Sequence, residues 1–122
     1  MNQQVRLNQN VLFGIFAAAV AFTLSTQTYA ADAEAAKTLA RQNGCFKCHT
    51  IEDNPAKQKD GPPWSKIGAK YRGKANAEER LTTHITTGEK AKFPDGHEED
   101  HKIIKTKDMA QIKNLVGWIL SL

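Results

Sequence analysis

The sequence is poor in sulfur, because its 122 residues include only two cysteines and two methionines, one of which is Met1. It also lacks internal repeats and low-complexity linkers. No run alternates strictly between apolar and polar residues, so we expect no β-strand. The length is sufficient for one domain and short for two. These absences exclude a repeat architecture and favour a single helical domain.

Charge is almost missing from the first thirty residues, where Arg6 is the only charged side chain. An apolar run follows over residues 11–24, and Thr28-Tyr29-Ala30 ends the segment with a small residue. This order is typical of a secretory signal peptide, so we expect cleavage after Ala30 and a mature domain over residues 31–122. The apolar run is shorter than the roughly 20 residues that cross a bilayer, which disfavours a retained anchor. The sequence therefore predicts a periplasmic protein with no stable membrane anchor.

The excess of basic over acidic residues is small. The whole chain carries a formal net charge of +4, and removal of Arg6 with the signal peptide lowers it by one. Nucleic-acid binding usually depends on a marked concentration of Lys and Arg against phosphates. We therefore expect no nucleic-acid partner for this exported chain.

Helical signals dominate the mature segment. Four helices are predicted from apolar spacing and from start and stop residues. The first runs from a cap at Asp32 to about Asn43, the second from Pro63 to Gly73, the third from Asn76 to Gly88, and the last follows a cap at Thr106. A polar segment at 89–105 precedes the last helix and contains the turn Pro94-Asp95-Gly96.

One motif carries chemistry, and it directly follows the first predicted helix: Cys45-Phe46-Lys47-Cys48-His49. Cys-x-x-Cys-His is the attachment signature of c-type haem. Two thiols three residues apart can each add to one vinyl group of the same haem. The histidine that follows is then held next to the iron, where a ring nitrogen can bind it. The large apolar cofactor would also complete the core of a small domain.

Other readings of this cysteine pair fit the sequence less well. A disulfide between Cys45 and Cys48 would close a very small loop and stabilise little. A thioredoxin-like pair is expected in a βαβ unit, and no strand is predicted here. A tetrahedral zinc site would need a second pair of ligands at a suitable spacing, and none follows.

Together with its flanks, the motif resembles that of a class I c-type cytochrome of the short bacterial monohaem kind. Gly61-Pro62 and Gly117-Trp118-Ile119-Leu120 lie where that family has matching residues. The resemblance implies an all-α cytochrome c fold of about four helices around one covalent haem c with its iron. It also implies that Cys45 and Cys48 bind the cofactor and that His49 binds the iron. The carbonyl of Pro62 would then orient His49.

The sixth iron ligand departs from the family pattern. The family places a methionine sixteen or seventeen residues before the aromatic residue of the last helix, and His101 stands at that distance from Trp118. Met109 is too close to Trp118 and falls in the apolar period of the last helix, which predicts core packing for it. We therefore predict His101 as the second metal ligand. Met109, His97 and an open iron remain alternatives.

The resemblance implies a one-electron carrier between periplasmic redox partners, without enzymatic activity and as a monomer. A haem protein that binds or senses a small ligand and a cytochrome subunit of an exported dehydrogenase are alternative functions. Lysines around the haem motif predict attraction of an acidic redox partner, although exposed charges often have no specific role. They are Lys47, Lys57, Lys59, Lys66, Lys70 and Lys74.

Overall fold

The computed structural model describes residues 30–122, so the predicted signal peptide lies outside the described residues. The elements are helix α1 (Ala33–Gln42), helix α2 (Trp64–Tyr71), helix α3 (Ala77–Thr87), strand β1 (Lys90–Lys92), strand β2 (Glu98–Asp100) and helix α4 (Met109–Ser121). Two short 3-10 turns, Cys45–Lys47 and Pro55–Lys57, lie between α1 and α2. None of the helices in residues 30–122 has the length and apolarity required to cross a membrane.

Helix α4 is the centre of the fold and packs against each of the other three helices. It is the most apolar helix, and Ile112, Leu115 and Val116 are almost completely buried. Helix α1 meets it with the small residues Ala36 and Ala40, which have no exposed surface. Small side chains allow two helices to approach closely, so α1 and α4 form one wall of the domain.

The first and last helices begin at aspartate caps. The carboxylate of Asp32 accepts hydrogen bonds from the backbone N–H groups of Glu34 and Ala35, which confirms the predicted start of α1. The predicted cap of α4 at Thr106 is wrong. Asp108 fills that position and accepts from the backbone N–H of Ala110 at 2.9 Å. The hydroxyl of Thr106 instead accepts from the backbone N–H of Asp108.

The polar segment before α4 contains a small antiparallel hairpin, so the expectation of no β-strand is wrong. Strands β1 and β2 pair Lys90 with Asp100 and Lys92 with Glu98. Opposite charges that face each other across the strands stabilise this register in place of an apolar face. The predicted turn at Pro94-Asp95-Gly96 connects the strands, and Gly96 has a positive φ of 92°. The hairpin leads directly into His101.

Candidate functional site

The Cys-x-x-Cys-His motif lies on a tight turn at the end of α1. Gly44 has a φ of 69° and directs the chain out of the helix into the 3-10 turn. The backbone N–H groups of Cys48 and His49 both donate to the carbonyl of Cys45, at 3.2 and 3.0 Å. Both thiols and the imidazole line one cavity.

Cys45 and Cys48 form no disulfide with each other. The thiol of Cys45 is half-buried, and this burial raises its pKa. A raised pKa keeps the sulfur protonated at neutral pH, whereas the reactive cysteine of a redox pair has a lowered pKa. The environment of Cys45 therefore differs from that of a thioredoxin-like site.

His49 is oriented by a hydrogen bond to the carbonyl of Pro62. The distance from Nδ1 of His49 to this oxygen is 2.8 Å, and only a protonated Nδ1 can donate to it. Burial is the main cause that lowers the pKa of His49, so the ring is neutral at pH 7. A neutral ring protonated on Nδ1 has its lone pair on Nε2, which is the form that binds a metal.

Gly61 makes this contact possible. A β-carbon at this position would lie 2.7 Å from the carbonyl oxygen of Cys48 and 2.8 Å from Nδ1 of His49. The backbone N–H of Gly61 also donates to the Cys48 carbonyl at 2.8 Å. Only glycine therefore allows the segment before Pro62 to pass this close to the motif.

His101 lines the same cavity as His49. Its backbone N–H donates to the carbonyl of Glu89 at 3.0 Å, which fixes the chain just after β2. Its Nδ1 is buried and has no hydrogen-bond partner among the described residues. Burial is the largest cause that lowers the pKa of His101, followed by the nearby rings of His84 and His49.

The two predicted metal ligands face each other at a suitable separation. The ring centres of His49 and His101 are 6.1 Å apart. A ring nitrogen of a metal-bound histidine lies about 2.0–2.1 Å from the metal and the ring centre about 1 Å farther, so two imidazoles on opposite sides of one metal have centres about 6 Å apart. The observed separation therefore fits one metal ion between these two rings.

The cavity between the rings has a volume of about 280 Å³. Its remaining walls are mainly apolar. They include Trp64, Ile67, Leu81, Ile85, Phe93, Ile103, Ile104, Leu115, Val116 and Ile119. A planar apolar macrocycle with a central metal fits such walls and the two facing imidazoles.

The two alternative sixth ligands lie elsewhere. Met109 is the first residue of α4 and is 46% exposed, so its predicted role in core packing is wrong. Position 109 lies ahead of the buried period of α4, which begins at Ile112. His97 is exposed on the hairpin, where its ring stacks on Phe93. Neither side chain lines the cavity that the described residues form.

His84 belongs to the site although the sequence interpretation left it unassigned. Its ring centre lies 4.3 Å from that of His101, and its Nδ1 lies 3.2 Å from Oε2 of Glu89. Leu81, His84 and Ile85 are spaced as one helical face, and all three line the cavity. That spacing could have placed His84 at the site, because residues three and four apart share a helix face.

The rim of the cavity carries both signs of charge. The six lysines predicted to surround the motif are all exposed. Lys66 pairs with Asp53 at 2.9 Å, and Lys59 contacts the carbonyl of Phe46. None of these six lysines lines the cavity that the described residues form. The lysines that do are Lys92 and Lys102, together with the acidic residues Asp60, Glu99 and Asp100.

Comparison with known proteins agrees with this site. The model of the cytochrome c family matches residues 33–122. The chain is 34% identical over 109 residues to cytochrome c-551 of Allochromatium vinosum, which covers 84% of this chain and all of that protein.

Two solved structures are also similar. The class 1 cytochrome MtoD of Sideroxydans lithotrophicus ES-1 shows 60% identity and a TM-score of 0.68, over 75% of this chain and 97% of that one. Cytochrome c552 of Nitrosomonas europaea shows 28% identity and a TM-score of 0.53, over 70% of this chain and 96% of that one. The predicted family, fold class and covalent haem c are thereby confirmed. The chain belongs to the cytochrome c family and is a class I monohaem electron carrier with one covalently bound haem c.

Proposed function

We propose that this protein is an exported, periplasmic one-electron carrier whose iron is bound by His49 and His101. The observation that carries the proposal is the pair of imidazoles that face each other across an apolar cavity, 6.1 Å apart. When bound, haem supplies an iron that gains or loses one electron. Two protein ligands on the iron leave no position for a substrate, so we propose no enzymatic activity.

Each side of the cavity has a distinct part in this function. On one side, Pro62 holds His49 in the tautomer that binds metal. On the other, the backbone contact with Glu89 brings His101 over the cavity. The apolar walls exclude water from the metal, and burial is one of the factors by which a protein sets a haem potential. We expect acidic redox proteins as partners, because exposed lysines lie within the motif and in the segments that follow it.

The attachment of the cofactor gives the first prediction. Cys45 and Cys48 should each form one thioether bond, so the mature chain should keep its haem after denaturation. Intact mass spectrometry should give the mass of residues 31–122 plus one haem, and acid-acetone extraction should leave the colour with the protein. Replacement of either cysteine by Ala should leave one thioether bond. Release of haem from the unmodified protein would refute the attachment.

The sixth ligand gives the second prediction. The oxidised protein should lack the weak absorption near ~700 nm that an iron–sulfur bond produces, because Met/His ligation is absent. His101→Ala should convert the iron towards high spin and allow external ligands to bind. His101→Met should raise the reduction potential, since methionine ligation raises the potential of cytochromes c. Visible and near-infrared spectra and a redox titration measure these changes.

Met109→Leu is the matched control for this experiment. It removes the sulfur of an exposed side chain outside the cavity, so the spectrum and the potential should stay unchanged. The opposite pattern, in which Met109→Leu alters the spectrum and His101→Ala does not, would assign methionine as the ligand.

A further inference from the structure

Glu89 joins helix α3 to the segment that carries His101. Its backbone carbonyl accepts the N–H of His101 at 3.0 Å. Its carboxylate oxygen Oε2 lies 2.5 Å from an Arg80 nitrogen and 3.2 Å from Nδ1 of His84. One residue thus contacts the backbone of the proposed ligand and the side chains of Arg80 and His84 on α3.

The path of the chain at the end of α3 produces this arrangement. Gly88 has a φ of 72° and ends the helix in the left-handed conformation. The chain therefore reverses, and the carboxylate of Glu89 returns to residues 80 and 84 on the preceding turns. A β-carbon at Gly88 would also lie 3.2 Å from the side chain of Ile103, so the turn fits closely against the ligand segment.

The side chain of His84 extends this network to the ring of His101. The two ring centres are 4.3 Å apart with an angle of 44° between their planes. The hydrogen bond that Nδ1 of His84 donates to Oε2 of Glu89 restricts how the ring of His84 can turn. A fixed ring of His84 limits the space into which the ring of His101 can move away from the cavity.

We propose that Glu89 is a positioning residue that keeps His101 on the iron. The inference rests on the proposed ligation by His101. An exposed ion pair such as Arg80–Glu89 usually contributes little to overall stability. Here the pair acts on a local equilibrium between a closed state with His101 bound and an open state with His101 displaced. An external ligand binds only the open state, so its apparent affinity measures the fraction of open protein.

Cyanide binding to the oxidised holoprotein tests this role. At high cyanide the observed rate should reach a plateau set by the dissociation of His101. Glu89→Gln should raise the plateau rate by roughly two- to fivefold, the size expected for loss of one exposed ion pair. Arg80→Gln should have a similar effect. The double variant should show little further increase, because the two residues act through one contact.

Glu78→Gln is the matched control. Glu78 lies on the same helix, and its carboxylate pairs with Lys113 at 3.4 Å. Its replacement by Gln therefore also removes one negative charge and one exposed ion pair. Glu78 is remote in sequence from the ligand segment, and no hydrogen bond joins it to His101 within residues 30–122, so the plateau rate of Glu78→Gln should equal that of the unmodified protein. The electron paramagnetic resonance g values should change in Glu89→Gln and stay constant in Glu78→Gln, because they depend on the orientation of the axial ligands.

The outcomes separate this proposal from the proposed ligation. A plateau that is equal in the unmodified protein and in Glu89→Gln overturns the role of Glu89 and leaves His101 as ligand. Equal effects of Glu78→Gln and Glu89→Gln also overturn it, because a general change of charge then explains both. A ferric spectrum that is unchanged in His101→Ala contradicts the ligation itself. If Glu89→Gln yields no holoprotein, the plateau rate of Arg80→Gln alone tests whether the Arg80–Glu89 pair positions His101.

Discussion

Gly61 shows how one missing side chain shapes the haem site. Its α-carbon lies so close to the motif that an added β-carbon would come within 2.8 Å of both the Cys48 carbonyl and His49. The backbone that follows carries the carbonyl of Pro62, which accepts the hydrogen bond from His49. The position of this carbonyl therefore depends on the absence of a side chain at residue 61.

This close contact predicts a loss of stability in Gly61→Ala. The added methyl group must displace backbone or the ligand ring, and such overpacking typically costs about 1–3 kcal/mol. Denaturant unfolding of the holoprotein measures the change. Gly117→Ala is the control, because a β-carbon there would meet the Ala31 side chain at an ordinary contact distance of 3.8 Å and no closer atom of residues 30–122. Equal stability of Gly61→Ala and the unmodified protein would contradict the steric argument.

At the scale of single residues, the sequence predicted the residues that belong to a local motif. Cys45, Cys48 and His49 are adjacent in the chain, so their spacing alone indicated the chemistry. His84 was not assigned, although its spacing with Leu81 and Ile85 places it on the helix face that lines the cavity. Met109 was misassigned because an apolar residue near the start of a helix can continue the pattern of that helix and still be exposed.

At the scale of elements, Asn43 connects the end of α1 to the segment before α4. Its side-chain amide is buried and donates to the carbonyl of Leu39 at 2.8 Å. Its carbonyl oxygen accepts from the backbone N–H of Lys105 at 2.8 Å. The chain just after His101 is thus fastened to the helix that precedes the Cys-x-x-Cys-His motif.

The buried amide predicts a clear effect of Asn43→Ala. The backbone N–H of Lys105 would lose its acceptor and the Leu39 carbonyl would lose the side-chain donor, and each lost hydrogen bond costs about 0.5–1.5 kcal/mol. Denaturant unfolding gives this loss, and amide hydrogen exchange should show faster exchange at Lys105. Asn43→Asp keeps the acceptor and removes the donor to Leu39, so protection of the Lys105 amide should persist in that variant. Slow exchange at Lys105 in Asn43→Ala would disprove the connection.

The four helices were predictable because each has an apolar period and recognisable ends. The hairpin was missed because it has no apolar face. Pairs of opposite charge, such as Lys90 with Asp100, stabilise its register, and these pairs are visible only once the two strands are aligned. The cap of α4 was misplaced by two residues, since both Thr106 and Asp108 can cap a helix and only the packing of α4 decides between them.

At the scale of the whole molecule, the charges around the cavity predict how electron transfer depends on salt. Exposed lysines lie in the motif and in the segments that follow it, while Asp60, Glu99 and Asp100 add negative charge to the rim. If the lysines dominate the field, oxidation by ferricyanide, a small anion, should become slower as ionic strength rises. A cationic cobalt complex should show the reverse trend, and stopped-flow kinetics measures both.

Single substitutions show which lysines cause the salt dependence of the rate. Lys47→Gln should lower the rate with ferricyanide at low salt, because Lys47 lies within the motif. Lys37→Gln should change the rate less, since Lys37 lies outside the cavity and is paired with Glu34 at 2.8 Å. Rates that are independent of salt for both oxidants would leave the lysines without a steering role.

The two facing imidazoles also have a consequence for the unfolded chain. His49 and His101 belong to segments that are far apart in sequence, and α2, α3 and the hairpin lie between them. An iron held by both rings and joined to the chain at Cys45 and Cys48 would tie these segments into a closed loop. By analogy with a disulfide of similar span, such a cross-link removes about 3–5 kcal/mol of chain entropy from the unfolded state. The iron of this cytochrome would then connect two distant segments of the chain in addition to carrying an electron.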